Sequence, residues 1–378
     1  MKIIHIITSI NKGGAENHLY RLTTEQSKKN NNVKILFFKG DGYWQKYLKK
    51  LKVTSVKFNL SNNYNILGIF IIFLKLLAYI TKEKPDIVHA HLALPEILVL
   101  LIKLFFNLKF KFVVTKHLDS LIFEGSYGQN KYLNGIFVER LIFKLADHVI
   151  FISKNVEKYF LSKIRDSAKN SSVIYYGIDK YYFNYNSKFN KNLKNLKDNK
   201  KQFVVLNIAR HIPQKRIDLL LLGFSEFAKK NDNTKLILVG SGPDTKKLNI
   251  LSNKLNIFNK IVWIDYTENI IELFKMSNVF CLTSEYEGLG LVLLESMYLK
   301  KPIITVRKSA MREIINNSYN GITLKDNFKP KDLSDCFEKI KKNKEFKNKI
   351  IKNARLDIKK KFSVRKMYNQ TNEIYKKK

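Results

Sequence analysis

One stretch of this chain predicts both its fold and its candidate site: Glu285-Tyr-Glu-Gly-Leu-Gly-Leu-Val-Leu-Leu-Glu295. It follows a strand-like apolar run at 278–284 and leads into a helix-like run at 289–300. Two glycines therefore lie where a strand turns into a helix N-terminus, and the free N–H groups and helix dipole there favour an anion. Glu287 and Glu295 stand on either side of this place, which suits a ligand whose hydroxyl groups flank a diphosphate. The alternative is a solvated turn acid and a helix acid near a favourable dipole.

Short apolar runs alternate with helical patterns in both halves of the chain, as expected for buried parallel strands. The predicted strands are 2–9, 33–38, 86–91, 110–115 and 148–153 in the first half, and 203–209, 235–239, 260–264, 278–282 and 302–306 in the second. Helices are predicted to begin near Ala15, Arg216, Asp244, Glu268 and Leu289. This pattern predicts two doubly wound α/β domains.

The length of 378 residues also favours two domains. A polar segment rich in Asn and Lys, 183–200, predicts a linker near its end. We therefore expect an N-terminal domain over 1–195 and a C-terminal domain over 196–360. The remaining segment, 361–378, is expected to form a helix that returns to the N-terminal domain.

The formal net charge of +37 suits nucleic acid, an anionic membrane or anionic substrates as partners. The charge is spread evenly, with +19 on residues 1–200 and +18 on residues 201–378. No zinc finger, aromatic RNA-binding motif or basic zipper accompanies it, so nucleic acid is not a predicted partner. A general bias toward Lys, Asn and Ile is the simplest explanation. Residues 251–300 depart from this bias, with 4 basic and 6 acidic residues.

Cysteine content and apolar runs bear on localisation. The two cysteines, Cys281 and Cys336, make neither a disulfide framework nor a metal-ligand cluster, which fits a reducing cytoplasm. The apolar runs 66–80 and 98–106 are shorter than the about 20 residues that a spanning helix needs. They predict either helices packed on a sheet or peripheral contact with an anionic membrane at its inner face.

A second candidate motif opens the second half, at Asn207-Ile-Ala-Arg-His-Ile-Pro-Gln-Lys215. Arg210 and Lys215 lie at the carboxyl end of a predicted strand, where open α/β sheets bind ligands. Two cations on one short loop suit a diphosphate, because Arg can bind it bidentately and Lys acts as a point charge. The alternative is two ordinary surface cations among the 69 Lys and Arg of the chain.

The order of these motifs resembles the retaining glycosyltransferases of family 4, the group 1 glycosyltransferases with the GT-B fold. The resemblance rests on Arg210 with Lys215, a Val-Gly-Ser-Gly-Pro turn at 239–243, and Glu287 with Glu295, and it covers nearly the whole chain. It implies two Rossmann-like domains that face each other across a cleft, with the donor mainly on the second domain.

The resemblance also implies roles for these residues. Arg210 and Lys215 would bind the diphosphate of a nucleotide-sugar donor. Glu287 would contact the transferred sugar as a catalytic residue, and Glu295 would contact the ribose hydroxyls. Backbone N–H groups that approach sugar or phosphate oxygens would come from Gly288, Leu289 and Gly290.

The first half carries weaker signals. Gly13-Gly14 follows the first strand and resembles the family's glycine loop between donor and acceptor, so Gly14 is a candidate donor-binding residue. Val-Val-Thr-Lys-His117 resembles the family segment whose histidine lies at the reaction centre, which makes His117 a candidate catalytic residue. The alternative is a histidine satisfied by hydrogen bonds. The pair His89-x-His91 lacks a third metal ligand in the sequence, and no metal is predicted.

The predicted activity is therefore metal-independent, retaining transfer of a sugar from a UDP- or GDP-linked donor to an envelope glycan or lipid-linked acceptor, with no further cofactor. The alternatives are another GT-B enzyme such as a hexosamine 2-epimerase, which lacks this motif order, and a non-enzymatic basic nucleic-acid binder. Two departures from the family pattern bear on the nucleotide base. The run 309–313, Ser-Ala-Met-Arg-Glu, lacks a glycine pair that many relatives have, and Asp265 stands where a glycine is usual.

Overall fold

The computed structural model describes the chain except for residues 12, 61–65, 122–128, 165–169, 180–201, 268 and 378 and the side chains of 129–134. The predicted linker at 183–200 lies outside the described residues. Contacts divide the chain into two compact units. The first comprises Met1–Gly177 and Val364–Lys378, and the second comprises Ile178–Ser363. The domain boundaries predicted from the sequence lie after residues 195 and 360 instead.

The first unit is built on a parallel sheet whose strand order is β3-β2-β1-β4-β5-β6-β7. Its strands are β1 Lys2–Ser9, β2 Asn32–Lys39, β3 Thr54–Lys57, β4 Ile87–His91, β5 Lys111–Lys116, β6 His148–Phe151 and β7 Ser171–Val173. Its helices before the second unit are α1 Gly14–Lys28, α2 Gln45–Lys50, α3 Ile66–Glu83, α4 Ala93–Phe105, α5 Gln129–Leu145 and α6 Lys154–Lys163.

The second unit repeats the plan with the order β10-β9-β8-β11-β12-β13, again parallel. Its strands are β8 Phe203–Ile208, β9 Thr234–Val239, β10 Ile261–Ile264, β11 Val279–Leu282, β12 Ile303–Val306 and β13 Ile322–Leu324. Its helices are α7 Ile217–Lys229, α8 Thr245–Lys254, α9 Ile270–Met276, α10 Leu291–Tyr298, α11 Met311–Ile314, α12 Pro330–Lys342 and α13 Lys344–Lys361. The last helix, α14 (Val364–Lys376), belongs to the first unit.

The predicted fold of two Rossmann-like α/β domains is confirmed. All ten predicted strands are present, with ends within two residues of the predicted ones. Three further strands, β3, β7 and β13, escaped prediction. Each has three or four residues and lies at the edge of its sheet, where a strand needs no continuous apolar run.

In each sheet the first strand occupies an interior position. The next two strands are added on one side of it, and the later strands are added on its other side. The strand order therefore reverses between β1 and β4 in the first unit and between β8 and β11 in the second. Open α/β sheets bind ligands outside the carboxyl ends of the strands at such switch points. Most predicted site residues follow β1, β8 or β11, whereas His117 follows β5 and Glu295 lies in α10.

Hydrogen bonds within the first unit hold the chain segments that connect the two units. The Arg21 guanidinium donates to the carbonyl of Gly177 (2.6 Å), and the Gly177 N–H donates to the sulfur of Met367 on α14 (3.2 Å). Helix α14 also receives the Lys111 ammonium, which donates to the carbonyl of Ile374 (2.6 Å).

The two apolar runs form α3 and most of α4. Among the described residues, no helix combines the length and apolarity needed to span a membrane. Helix α3 buries one face, through Ile72, Leu76 and Ile80, and leaves large apolar side chains on the other. We call the exposed set the apolar patch, and it consists of Ile66, Leu67, Phe70, Ile71 and Leu74 of α3 with Leu104, Phe105 and Phe106 at the end of α4.

Candidate active site

The loop after β8 presents the two predicted diphosphate cations. Arg210 is exposed, and Lys215 ends a short 3-10 turn. The next residue, Arg216, adopts the left-handed conformation (φ 47°), which is uncommon for a residue other than glycine. The Thr283 hydroxyl lies within hydrogen-bond distance of the carbonyls of Lys215 (3.1 Å) and Arg216 (2.8 Å), so the loop that follows β11 holds this turn in place.

Lys215 and Glu287 form a direct ion pair. The Lys215 ammonium donates to Glu287 Oε1 at 2.7 Å, and the two side chains are 12% and 13% exposed. The Ser284 hydroxyl donates to the same oxygen, also at 2.7 Å. Two loops that are 72 residues apart in sequence therefore meet at one carboxylate. The structure brings together two of the predicted site residues at the switch point between β8 and β11.

Close backbone packing fixes the Arg210 loop. A Cβ on Gly240 would lie 1.9 Å from the carbonyl oxygen of Ala209, and a Cβ on Gly242 would lie 2.3 Å from that of His211. The His211 N–H donates to the carbonyl of Ser241 (2.9 Å). The glycines of the Val-Gly-Ser-Gly-Pro turn are thus required for this turn to pack directly against the loop.

The glycine turn before α10 departs slightly from its predicted form. The helix begins at Leu291 rather than at 289, because Gly290 takes the left-handed conformation (φ 84°) at the N-cap position. Leu289 is buried, and its predicted backbone contact with the donor stays a prediction. Glu295 lies in the helix and is 6% exposed. Its predicted contact with ribose stays a prediction.

Ser309 lies in the loop after β12, where the family resemblance had predicted a glycine pair. It adopts a left-handed conformation (φ 50°). Its hydroxyl donates to the carbonyl of Glu287 (2.8 Å) and accepts from the Glu287 N–H (3.3 Å). The serine thus couples the loop after β12 to the backbone of Glu287, a role that the sequence did not reveal.

In the first unit, Gly14 is the first residue of α1, and the space beside its Cα is open. A Cβ added there would meet no atom within 4 Å. The neighbouring Glu16 accepts a hydrogen bond from the Ser9 hydroxyl (2.9 Å), and its pKa is raised by burial. The loop after β1 therefore leaves room for a ligand at Gly14, although its role in donor binding stays a prediction.

His117 lies in a buried cluster of histidines. One of its ring nitrogens, Nε2, hydrogen-bonds His91 Nδ1 at 3.0 Å, and the other, Nδ1, hydrogen-bonds the Tyr176 hydroxyl at 2.5 Å. The His18 ring packs edge-on against it, with centroids 5.4 Å apart. Both ring nitrogens thus have protein partners, and direct contact with a substrate requires one of these bonds to be exchanged.

The structure supplies a third histidine beside His89 and His91. Ligand atoms of these two rings and of His5 all lie within 4.8 Å of one another. His5 Nδ1 is 3.1 Å from His91 Nε2, and His89 hydrogen-bonds the hydroxyls of Tyr375 (2.5 Å) and Thr115 (2.7 Å). These hydrogen bonds already occupy the ring nitrogens, so the geometry favours a network of neutral rings over a metal centre.

Burial keeps these rings uncharged. Desolvation lowers the pKa of His5 to about 4 and that of His117 to about 3. It also lowers the pKa of each of His18, His89 and His91 well below the usual value, and the neighbouring histidines oppose any charge on these rings.

A buried triad of charges lies next to the cluster. Lys116, 4% exposed, contacts both Glu96 and Glu139. Burial raises the pKa of Glu96 to about 7, against the opposing effect of Lys116. Because this folded pKa lies above the unfolded value of Glu, the stability linked to Glu96 is present below pH 4.5 and is lost as the pH rises through 7.

Comparison with known proteins identifies the class of protein. The pattern of the family described as Glycosyltransferase Family 4 matches residues 12–181, and that of glycosyl transferases group 1 matches residues 188–357. The chain belongs to the group 1 glycosyltransferases, as its motif order had indicated.

Particular relatives share this class. An uncharacterized glycosyltransferase of Methanocaldococcus jannaschii is 32% identical over 64% of this chain and 60% of its own length. The chain thus spans less than two thirds of that relative. The O-antigen biosynthesis glycosyltransferase WclY of Escherichia coli is 28% identical over 69% of this chain and 71% of its own length. The solved structure of Anabaena HepE in complex with UDP-glucose has a TM-score of 0.81 at 19% identity, over 99% of this chain and 98% of that one.

Acidification is expected to destabilise the first unit. The folded pKa values of His5 and His117 lie below the unfolded value of about 6.5. The stability that the neutral rings provide is therefore present above pH 6.5 and is lost as the pH falls toward 4. The loss is roughly 3 kcal/mol for His5 alone. The opposing carboxyl groups Glu16 and Glu96, whose pKa values are raised by burial, are outweighed by five histidines.

The measurement is a brief pulse of amide hydrogen exchange on protein held at pH 7.5 and at pH 5. Exchange protection of β1 and β4 should fall at pH 5 more than that of β8 and β9, because six of the seven histidines lie in the first unit. Equal loss of protection in both units would contradict the assignment.

Proposed function

We propose that this protein is a retaining glycosyltransferase that moves a sugar from a nucleotide-sugar donor to an envelope glycan or lipid-linked acceptor. The observation that carries the proposal is the Lys215–Glu287 ion pair at the switch point of the second sheet, beside Arg210. It supplies fixed cations for a diphosphate and a carboxylate for a sugar on adjacent loops. A nucleic-acid binder does not account for the carboxylate, and the match to glycosyltransferase family patterns supports transfer over epimerisation.

The ion pair suggests how the donor enters. Without a ligand, Glu287 serves as counter-ion to Lys215. An incoming diphosphate offers Lys215 a stronger partner, because it carries more negative charge than one carboxylate. The exchange would free the Glu287 carboxylate, which Ser284 contacts directly and whose backbone Ser309 holds, for the hydroxyl groups of the sugar. Arg210 and Lys215 would then stabilise the departing diphosphate as preorganised charges.

The relatives suggest substrate classes. Anabaena HepE, whose structure contains UDP-glucose, shares the whole fold, which favours a UDP-linked sugar over a GDP-linked one as the first donor to test. The similarity to WclY, an O-antigen biosynthesis enzyme, supports an envelope glycan as acceptor. In the first unit, Gly14 stays the candidate donor-binding residue and His117 the candidate catalytic residue.

The proposed reaction needs neither a metal ion nor another cofactor. The acid beside the catalytic residue, Glu285, is exposed and lies 3.6 Å from the Lys308 ammonium, so it already has a cation partner. Arg210, Lys215 and the N-terminus of α10 supply positive charge where a metal would otherwise act. A divalent ion at this place would be repelled by those cations.

The apolar patch is proposed to rest on an anionic lipid surface such as the cytoplasmic leaflet. Ile66 is 88% exposed and Phe105 is 69% exposed, values that are costly for large apolar side chains in water. The Phe73 and Phe106 rings, 6.2 Å apart, join α3 to the end of α4. Exposed lysines on these segments, such as Lys75, would meet acidic head groups. A membrane position would also suit a lipid-linked acceptor.

Arg210→Ala and Lys215→Ala are each expected to weaken donor binding and transfer by ten- to a hundredfold, since a charge-assisted hydrogen bond contributes about 1.5–3 kcal/mol. The measurement is UDP binding by calorimetry together with transfer from a panel of nucleotide sugars. Lys229→Ala is the matched control, because Lys229 is an exposed cation of the same unit, paired with Glu226. Normal binding and kinetics in both loop variants would refute the diphosphate assignment.

Transfer is expected to survive EDTA, and Glu287→Gln should reduce kcat more than donor affinity. The reason is that Glu287 is proposed to act on the sugar while cations bind the diphosphate. Rates with EDTA, and with added Mg²⁺ or Mn²⁺, provide the measurement. If chelation abolished transfer and either ion restored it, the metal-free mechanism would have to be abandoned.

Phe70→Asp with Leu74→Asp is expected to abolish flotation of the protein with vesicles that contain an anionic lipid. Both side chains belong to the apolar patch, and burying a charge in the interface is unfavourable. Leu356→Asp, at an exposed leucine of α13, is the matched control and should still float. Alkaline carbonate should strip the wild-type protein from membranes. Retention after this wash, or flotation of the double variant, would contradict peripheral binding through the patch.

A further inference from the structure

The histidine cluster extends into one continuous hydrogen-bonded chain that runs through the core of the first unit. From the Tyr176 hydroxyl it passes to His117, His91 and His5 through bonds of 2.5, 3.0 and 3.1 Å. His5 Nε2 then bonds Gln26 Oε1 at 2.9 Å.

Beyond Gln26 the chain continues along a second arm. The Gln26 side chain hydrogen-bonds the Tyr375 hydroxyl, which bonds His89 Nδ1 at 2.5 Å. His89 Nε2 bonds the Thr115 hydroxyl at 2.7 Å. Gln26, His5, His89 and His91 are at most 1% exposed, so water does not complete these bonds.

The first arm of the chain runs from Tyr176 to Gln26. Counting the protons on its rings shows that hydrogen bonds along it can be donated in only one direction. A neutral imidazole carries one N–H, so each ring donates through one nitrogen and accepts through the other. Gln26 Oε1 can only accept, so His5 must donate to it through Nε2. His5 Nδ1 therefore accepts from His91 Nε2–H. By the same reasoning His91 Nδ1 accepts from His117 Nε2–H, and His117 Nδ1 accepts from the Tyr176 hydroxyl.

The second arm follows from the same amide. With its oxygen engaged by His5, Gln26 offers its NH₂ group to the Tyr375 oxygen. Tyr375 then donates its hydroxyl proton to His89 Nδ1, and His89 donates through Nε2 to Thr115. The depressed pKa values of the rings support the count, since it holds only for neutral imidazoles.

We propose that Gln26 is a positioning residue that fixes the tautomer of His117, two rings away, by orienting every proton in this chain. His117 then carries its proton on Nε2, and its Nδ1 is an acceptor. A substrate group that replaces Tyr176 at Nδ1 must therefore be a hydrogen-bond donor, such as a sugar hydroxyl. The link to catalysis rests on the proposed function, whereas the proton order does not.

Two substitutions of Gln26 separate this proposal from simple packing. In Gln26→Glu the carboxylate accepts from both His5 and Tyr375. The first arm keeps its order, but Tyr375 no longer donates to His89, so His89 should switch to the Nδ1–H tautomer. In Gln26→Leu neither arm has its central partner. His5 loses the acceptor for Nε2–H, and the Nδ1–H form of His117 should become detectable.

The experiment is two-bond ¹⁵N–¹H correlation NMR of the full-length chain with ¹⁵N-labelled histidine, which distinguishes the two tautomers of each ring. The seven histidines can be assigned with single His→Gln variants. We expect wild-type His5, His91, His117 and His89 to be Nε2–H, with only His89 switched in Gln26→Glu. A wild-type His117 protonated on Nδ1, or a switch at His117 instead of His89 in Gln26→Glu, would overturn the proposal. So would stoichiometric zinc in the purified protein, because metal-bound rings cannot form the chain.

Kinetics provide the catalytic readout. Gln26→Leu should lower kcat at least tenfold while the KM for the nucleotide sugar changes less than twofold, and Gln26→Glu should lose less. Equal losses in both variants would show that Gln26 acts through packing and would overturn its positioning role. If the tautomers behave as described but the wild-type chain transfers no sugar, the proposed function fails and the proton order stands. Circular dichroism verifies that each variant is folded.

Discussion

Parallel pairing in both sheets requires every connection to cross back over the outside of the sheet, so all strands direct their carboxyl ends toward the same edge. The strands themselves are buried on both faces and leave little room for unpaired polar groups. The charged side chains of the candidate donor site therefore lie in the loops at that edge. The positions of Lys215 and Glu287 follow from this constraint, because the strands before them, β8 and β11, are neighbours.

The two units handle polar groups at their switch points in opposite ways. In the second, Lys215 and Glu287 remain charged and partly exposed, and each serves as the other's counter-ion. In the first, the polar groups are mostly imidazoles that stay neutral and satisfy one another in the core. Full charge in the second unit suits an anionic ligand, whereas a neutral ordered network suits the recognition of hydroxyl groups.

The fold could be predicted because buried parallel strands leave an unmistakable apolar signature, and β8 or β9 can be read almost to the residue. The Arg210, Lys215 and Glu287 loops could be predicted because strand ends and glycine turns mark them. The residues that hold these side chains in place by hydrogen bonds could not be predicted. Gln26 lies in the last turn of α1 and Tyr375 in the last turn of α14, and no local pattern connects either to His5 or His89. Ser309 was missed because the sequence indicates a left-handed backbone conformation only where it places a glycine.

Helix α14 completes the first unit although it is the last element of the chain. During synthesis, residues 1–177 leave the ribosome long before Tyr375 and Met367 exist, so β4 and the Gly177 passage lack their partners throughout translation of the second unit. The second unit is continuous in sequence and can finish folding first. The bonds of His89 to Tyr375 and of Gly177 to Met367 can form only after α14 has been synthesised, so the first unit gains these contacts later than domains that fold strictly from N to C.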